Sequence, residues 1–108
     1  MFASVLAACA LAETNDLGQF NAAAVEKPLS AILGATTKVT AYSFHLNEMS
    51  GPSRGNVLIK TGERRTFQYH FREAAMQPYI VMKSLKENVI SKDIFERFYV
   101  KRQMTLPS

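Results

Sequence analysis

Met1-Phe2-Ala3-Ser4-Val5-Leu6-Ala7-Ala8-Cys9-Ala10-Leu11-Ala12 carries no charge, and Glu13 then begins ordinary polar sequence. Three readings compete for this stretch. As a helix it places Phe2, Val5, Leu6 and Cys9 at i, i+3, i+4 and i+7, on one face, with alanine, the strongest helix former, filling most other positions. Such a helix needs a surface to cover, either its own core or a partner, so these four residues are candidate interface residues. As an export signal it offers Ala10-Leu11-Ala12 for cleavage before Glu13, or Leu6-Ala7-Ala8-Cys9 as a lipoprotein box with Cys9 lipidated. A signal peptide needs a positive region ahead of its apolar stretch, and the first basic residue here is Lys27. A membrane span fails on length, since about 20 apolar residues are required. A helix retained in the domain is the favoured reading. It makes an intracellular protein the expectation, with a periplasmic or lipid-anchored one as the alternative.

The rest of the composition fits one globular domain over residues 1–108. Hydrophobic residues make up 47% and charged ones 20%, which excludes a disordered chain. One cysteine excludes an internal disulfide. Charge is unevenly placed: all 13 Lys and Arg lie from Lys27 onward, together with six of the nine acidic residues. A basic body favours anionic partners, nucleic acid among them, without choosing between them.

Outward from the N-terminal segment, Asp16-Leu17-Gly18-Gln19 resembles a capping box and predicts a helix from Leu17 to about Glu26. Lys27 before Pro28 predicts a break or kink, followed by a short helical piece to Leu33 that Gly34 ends. Lys38 to Leu46 alternates as a strand, with Thr40, Tyr42, Phe44 and Leu46 on one side. Asn56 to Lys60 is a second strand, Thr61-Gly62-Glu63-Arg64 a hairpin connection, and Arg65 to Arg72 a third strand with Phe67, Tyr69 and Phe71 on one face. For Tyr79 to Met82 a strand competes with a helix from Pro78 to Asn88. Ser91 is a plausible cap for a helix over Lys92 to Arg102, against a rival strand through Phe98, Val100, Arg102 and Met104. The expected fold is therefore α+β: N-terminal helices on an antiparallel meander of three or more strands, with a C-terminal helix.

No motif names a reaction. Gly51 to Gly55 matches G-x-S-x-G, but a nucleophile elbow must turn from a strand into a helix. This stretch is instead read as a loop between two strands. Cys9, His45 and His70 are the soft metal-ligand types present, and no two stand at a metal-site spacing. Neither a metal nor a cofactor is expected, and no nucleophile, base and oxyanion donor assemble into an enzyme site. The aromatic face of the third strand invites comparison with base-stacking sheets, but a helix-covered core is its commoner use. Lys38, Lys60, Arg64 and Arg65 would meet at one end of the meander and form a candidate polyanion site. A helix followed by an antiparallel sheet loosely resembles cystatin-like domains. Thr37-Lys38-Val39-Thr40-Ala41 stands where those have a Gln-x-Val-x-Gly hairpin, and Gln77-Pro78-Tyr79 where they have a Pro-Trp loop. The Gln, Gly and Trp are absent, so the resemblance implies no protease inhibition by that route. The expectation is a small non-catalytic binding or assembly protein. Its expected partner is a protein or a second copy, with nucleic acid or another polyanion as a further candidate.

Overall fold

The computed structural model describes residues 1–52, 55–63 and 66–101. Helix α1 (Phe2–Leu11) is apolar on every side, and the fold is built around it. A helix without a polar face is stable only when it is enclosed. Here Val5, Ala7, Ala8, Cys9, Ala10 and Leu11 are all buried. Val5, Ala8, Cys9 and Ala12 join one hydrophobic cluster with Phe20, Val25, Leu29, Tyr42, Leu46, Met49, Leu58 and Tyr69. Ala7, Ala10 and Leu11 join a second cluster with Ile80, Val81, Ile90 and Phe98. The four residues expected on one face, Phe2, Val5, Leu6 and Cys9, do pack together in the first cluster. They cover the protein's own core. Val5 and Cys9 are at most 1% exposed and offer no surface to a partner.

The expected helix from Leu17 does not form. Asn15 organises the segment as a turn instead: its Oδ1 accepts from the backbone N–H of Leu17 and of Gln19, both at 2.9 Å. Asn side chains offer the backbone this alternative to helix. Phe20 then pairs with Tyr69 as an isolated antiparallel bridge. Asn21 caps a 3₁₀ turn over Ala22–Val25 through the N–H of Ala24. Helix α2 (Glu26–Leu33) follows directly. Pro28 causes no break because it lies in the first turn, where N–H groups lack intrahelical partners anyway. Gly34 ends α2 in the left-handed conformation at φ 72°, as expected.

The largest correction concerns Lys38 to Leu46. These residues form no strand; Val39–Met49 is helix α3, with Lys38 at its N-cap. Tyr42, Leu46 and Met49, at i, i+4 and i+7, are its fully buried face. Among the described residues the sheet accordingly has two strands, not three or more: β1 (Leu58–Thr61) pairs antiparallel with β2 (Gln68–Phe71), Leu58 opposite Phe71 and Thr61 opposite Gln68. The other edge of β2 is met at Phe20, whose N–H and C=O exchange bonds with Tyr69 at 2.8 and 2.7 Å. The aromatic face of β2 turns inward as expected. Tyr69 is buried, Phe67 and Phe71 are half-buried, and the Phe20 and Tyr69 rings stack at 5.9 Å.

The last third is helical. In α4 (Met76–Lys86), Gln77 donates from Nε2 to the Ala10 carbonyl at 3.0 Å, which ties this helix to α1. Ser91 caps α5 (Lys92–Phe95) by accepting from the Ile94 N–H. The chain continues with π geometry over Glu96–Val100, where Phe95 and Tyr99 stack at 5.6 Å. The architecture is thus α+β with helices at both ends and a two-stranded antiparallel sheet. Thr37 to Ala41 opens a helix and Gln77-Pro78-Tyr79 lies in the first turns of another. Neither is the hairpin or loop that the cystatin comparison requires. Among the described residues, no helix is long and apolar enough to cross a membrane.

Candidate nucleic-acid interface

Helices α2 and α3 and the hydrogen-bonded turn between them form the candidate surface. Ser30, in the last turn of α2, holds the turn from both of its oxygens. Its carbonyl accepts from the N–H groups of Gly34 at 2.9 Å and Ala35 at 3.2 Å, and its hydroxyl accepts from the N–H of Thr37 at 3.0 Å. Thr37 is itself buried and donates to the Ala35 carbonyl. The chain therefore leaves α2 and enters α3 along a fixed path.

With Tyr42, Leu46 and Met49 inside, α3 turns Thr40, Ala41, Phe44 and Asn47 outward. Phe44 is 66% exposed, unusual for a ring in a domain with a full core. The inner face is held by more than packing, because the Tyr42 hydroxyl donates to the Ala22 carbonyl. Burial pushes the Tyr42 phenol up to about 12, with the nearby charge of Glu26 acting the same way. Burial likewise raises the Cys9 thiol well above its ordinary range, so it remains a protonated apolar group.

Of the four cations expected to converge, Lys38 and Lys60 are described, whereas Arg64 and Arg65 lie outside the described residues. Lys38 sits at the start of α3 and not at a strand end, so the route by which it was expected to meet the others does not exist. Lys60, on β1, lies beside α3. Its Nζ donates to Asn47 Oδ1 at 3.0 Å and stands 4.0 Å from the centre of the Phe67 ring. Val39, next to Lys38, and Phe67, under Lys60, line the same pocket with Asn21 and Tyr69. Lys60 thereby ties the hairpin to α3 at Asn47. Glu48 is the one carboxylate of α3, half-buried near its C-terminal end. The outer face otherwise carries neutral residues flanked by lysines.

Other candidates are less organised. His45 is on α3 and His70 on β2, so they do not face each other across neighbouring strands; the Nδ1 atom of each is buried with no hydrogen-bond partner among the described residues. No three His, Cys, Asp or Glu side chains gather to hold a metal ion among the described residues. Gly51 to Gly55 runs from a helix toward a strand, the reverse of an elbow, and Ser53 lies outside the described residues. A mainly apolar groove between α1 and α4 is lined by Phe2, Leu6, Met76, Tyr79 and Ile80, with Lys83 and Glu87 at its margin and Tyr79 more than half exposed.

Sequence reasoning missed α3 and its outward face. The signal was present, since Val39, Tyr42, Leu46 and Met49 recur at helical spacing over eleven residues. No protein-family model, no curated protein and no solved structure matches this chain.

Proposed function

We propose that the protein is a non-catalytic binding module for double-stranded DNA. Helix α3 serves as the reading element and the β1–β2 hairpin as a basic arm beside it. The single observation that carries this reading is the order α2, fixed turn, α3, hairpin, with α3 packed by one face and open on the other. A helix-turn-helix places its second helix in the major groove while its first crosses the backbone; here the order of elements is the same, and α3 packs chiefly on α1 and the 3₁₀ turn Ala22–Val25. The hairpin connection holds Arg64 and Arg65 in sequence, next to Lys60, and Lys38 stands at the start of α3. Cations in these stretches of sequence suit phosphate contacts. Single-stranded binding by base stacking has less support, because the strand aromatics face the core.

Binding of a mixed-sequence duplex by the full chain tests the proposal. Affinity should fall by roughly one power of salt concentration per phosphate contact. The double change Arg64→Glu and Arg65→Glu should abolish binding while leaving the melting temperature unaltered. Absence of any duplex binding at low salt overturns the proposal. Assembly with a protein or a second copy, through the apolar groove beside α4, would then be the better reading. The enclosed position of α1 supports its reading as part of the fold, in place of export with cleavage before Glu13 or lipid on Cys9. An intact mass showing either of those in the native host would reverse this.

A further inference from the structure

We propose that the outward face of α3 reads A·T base pairs in the major groove, with Phe44 on thymine methyl groups and Asn47 on adenine. This rests on the duplex-binding reading above and specifies its substrate. The four base pairs present distinct patterns in the major groove, and side chains divide by which they can read. Arg and Lys read guanine, Asp and Glu accept from cytosine, Asn and Gln bond adenine at two points, and Ala, Thr and Phe pack on the thymine methyl. The exposed residues of α3 are Thr40, Ala41, Phe44 and Asn47. Ala41, Phe44 and Asn47 belong to the adenine and thymine sets, and the Thr40 hydroxyl suits either kind of pair. The body of α3 contains no Lys or Arg to read guanine.

Two details strengthen the assignment. A phenyl ring 66% exposed on a helix whose other face is fully packed has no role in the core. A row of thymine methyls is an apolar surface that would cover it. Asn47 is also pre-oriented. Lysine can only donate, so the atom that Lys60 Nζ approaches at 3.0 Å must be the carbonyl oxygen Oδ1. That leaves Nδ2 free to donate to adenine N7. Oδ1 keeps a second lone pair for the adenine amino group. The Phe67 ring holds the ammonium at 4.0 Å, so Lys60 is a positioning residue for Asn47. Lys38, exposed at the start of the helix, complements phosphate, and the half-buried Glu48 is the one acidic group on this helix.

The test compares three duplexes of equal length at one salt concentration, with the full chain. One has a core of alternating A·T and T·A pairs, one has a G·C core, and the third repeats the first with deoxyuridine in place of thymidine. The first should bind about tenfold tighter than the second. The third should lose part of that advantage, because it lacks only the major-groove methyl. Phe44→Ala should bind the thymidine and deoxyuridine duplexes alike, and Asn47→Ala should narrow the gap between the A·T and G·C cores. Both residues are exposed, so unchanged circular dichroism and melting are expected. Equal binding of all three duplexes overturns this inference while leaving duplex binding standing. An A·T preference that ignores the methyl and survives Phe44→Ala also overturns it, and assigns the preference to the hairpin arginines in a narrow minor groove. No duplex binding at all fails the reading beneath it. A loss of self-association in Phe44→Ala with DNA affinity intact overturns the inference by making the ring a protein contact.

Discussion

Tyr42 concentrates the residue-scale physics of the fold. Its ring is fully buried in the first cluster and its hydroxyl finds the Ala22 carbonyl, so one side chain closes α3 onto the turn before α2. The same burial raises its ionisation to about 12, against about 10 for a free tyrosine. The folded state therefore holds the proton more tightly than the unfolded state. This contribution is fully present below pH about 10 and is lost as pH rises toward about 12. Tyr42→Phe should cost about 1 kcal/mol at neutral pH, the net value of one hydrogen bond. Its stability should also fall less steeply across the alkaline window. Tyr69, raised mainly by burial, leaves some alkaline dependence in that variant. Urea unfolding at neutral and alkaline pH measures both effects. An identical alkaline slope in the two proteins would show that Tyr42 does not titrate with unfolding.

At the scale of elements, the turn between α2 and α3 governs where the reading face points. Ser30 supplies three of its bonds, two through the carbonyl and one through the hydroxyl. Ser30→Ala removes only the hydroxyl and leaves the N–H of the buried Thr37 without its partner, at a cost of about 1–3 kcal/mol. We expect duplex affinity to fall more than this loss of stability alone would cause at a temperature where the variant is fully folded, because α3 loses its fixed entry. A hydrogen-exchange measurement should show faster exchange at Thr37 and in the first turn of α3. Unchanged exchange there would locate the rigidity of the turn elsewhere.

At the scale of the whole molecule, α1 is the shared wall of both hydrophobic clusters. Surface helices leave one stripe for packing, but this one has neighbours on each side: α2 and α3 in one direction, α4 in the other. Removing residues 2–12 withdraws the middle of the core and exposes Tyr42, Leu46 and Ile80 together. The truncated chain should lose its cooperative melting transition. Leu11→Ala, a milder test, should cost about 2–5 kcal/mol. A truncated chain that melted like the full one would refute the central place of α1.

The sequence by itself determined what depends on short-range chemistry. The apolar run reads as helix from alanine content and spacing, Gly34 reads as a helix end, and Ser91 caps as expected. Thr61-Gly62-Glu63-Arg64 reads as the connection of a hairpin, whose second strand runs over Gln68–Phe71, and the inward aromatic face of β2 follows from its alternation. Tertiary structure decided the rest. Residues 38–49 carry two patterns at once: Thr40, Tyr42, Phe44 and Leu46 alternate, while Val39, Tyr42, Leu46 and Met49 recur at helical spacing. Val, Thr, Tyr and Phe tip the local preference toward strand, but propensity is a weak prior. The helix buries Tyr42, Leu46 and Met49 together within the first core cluster, which also contains residues of α1. That gain from distant neighbours also leaves Phe44 outside, and so creates the candidate reading face. Pattern alone could not have placed it there, because the choice between the two periods lies in the surfaces they meet.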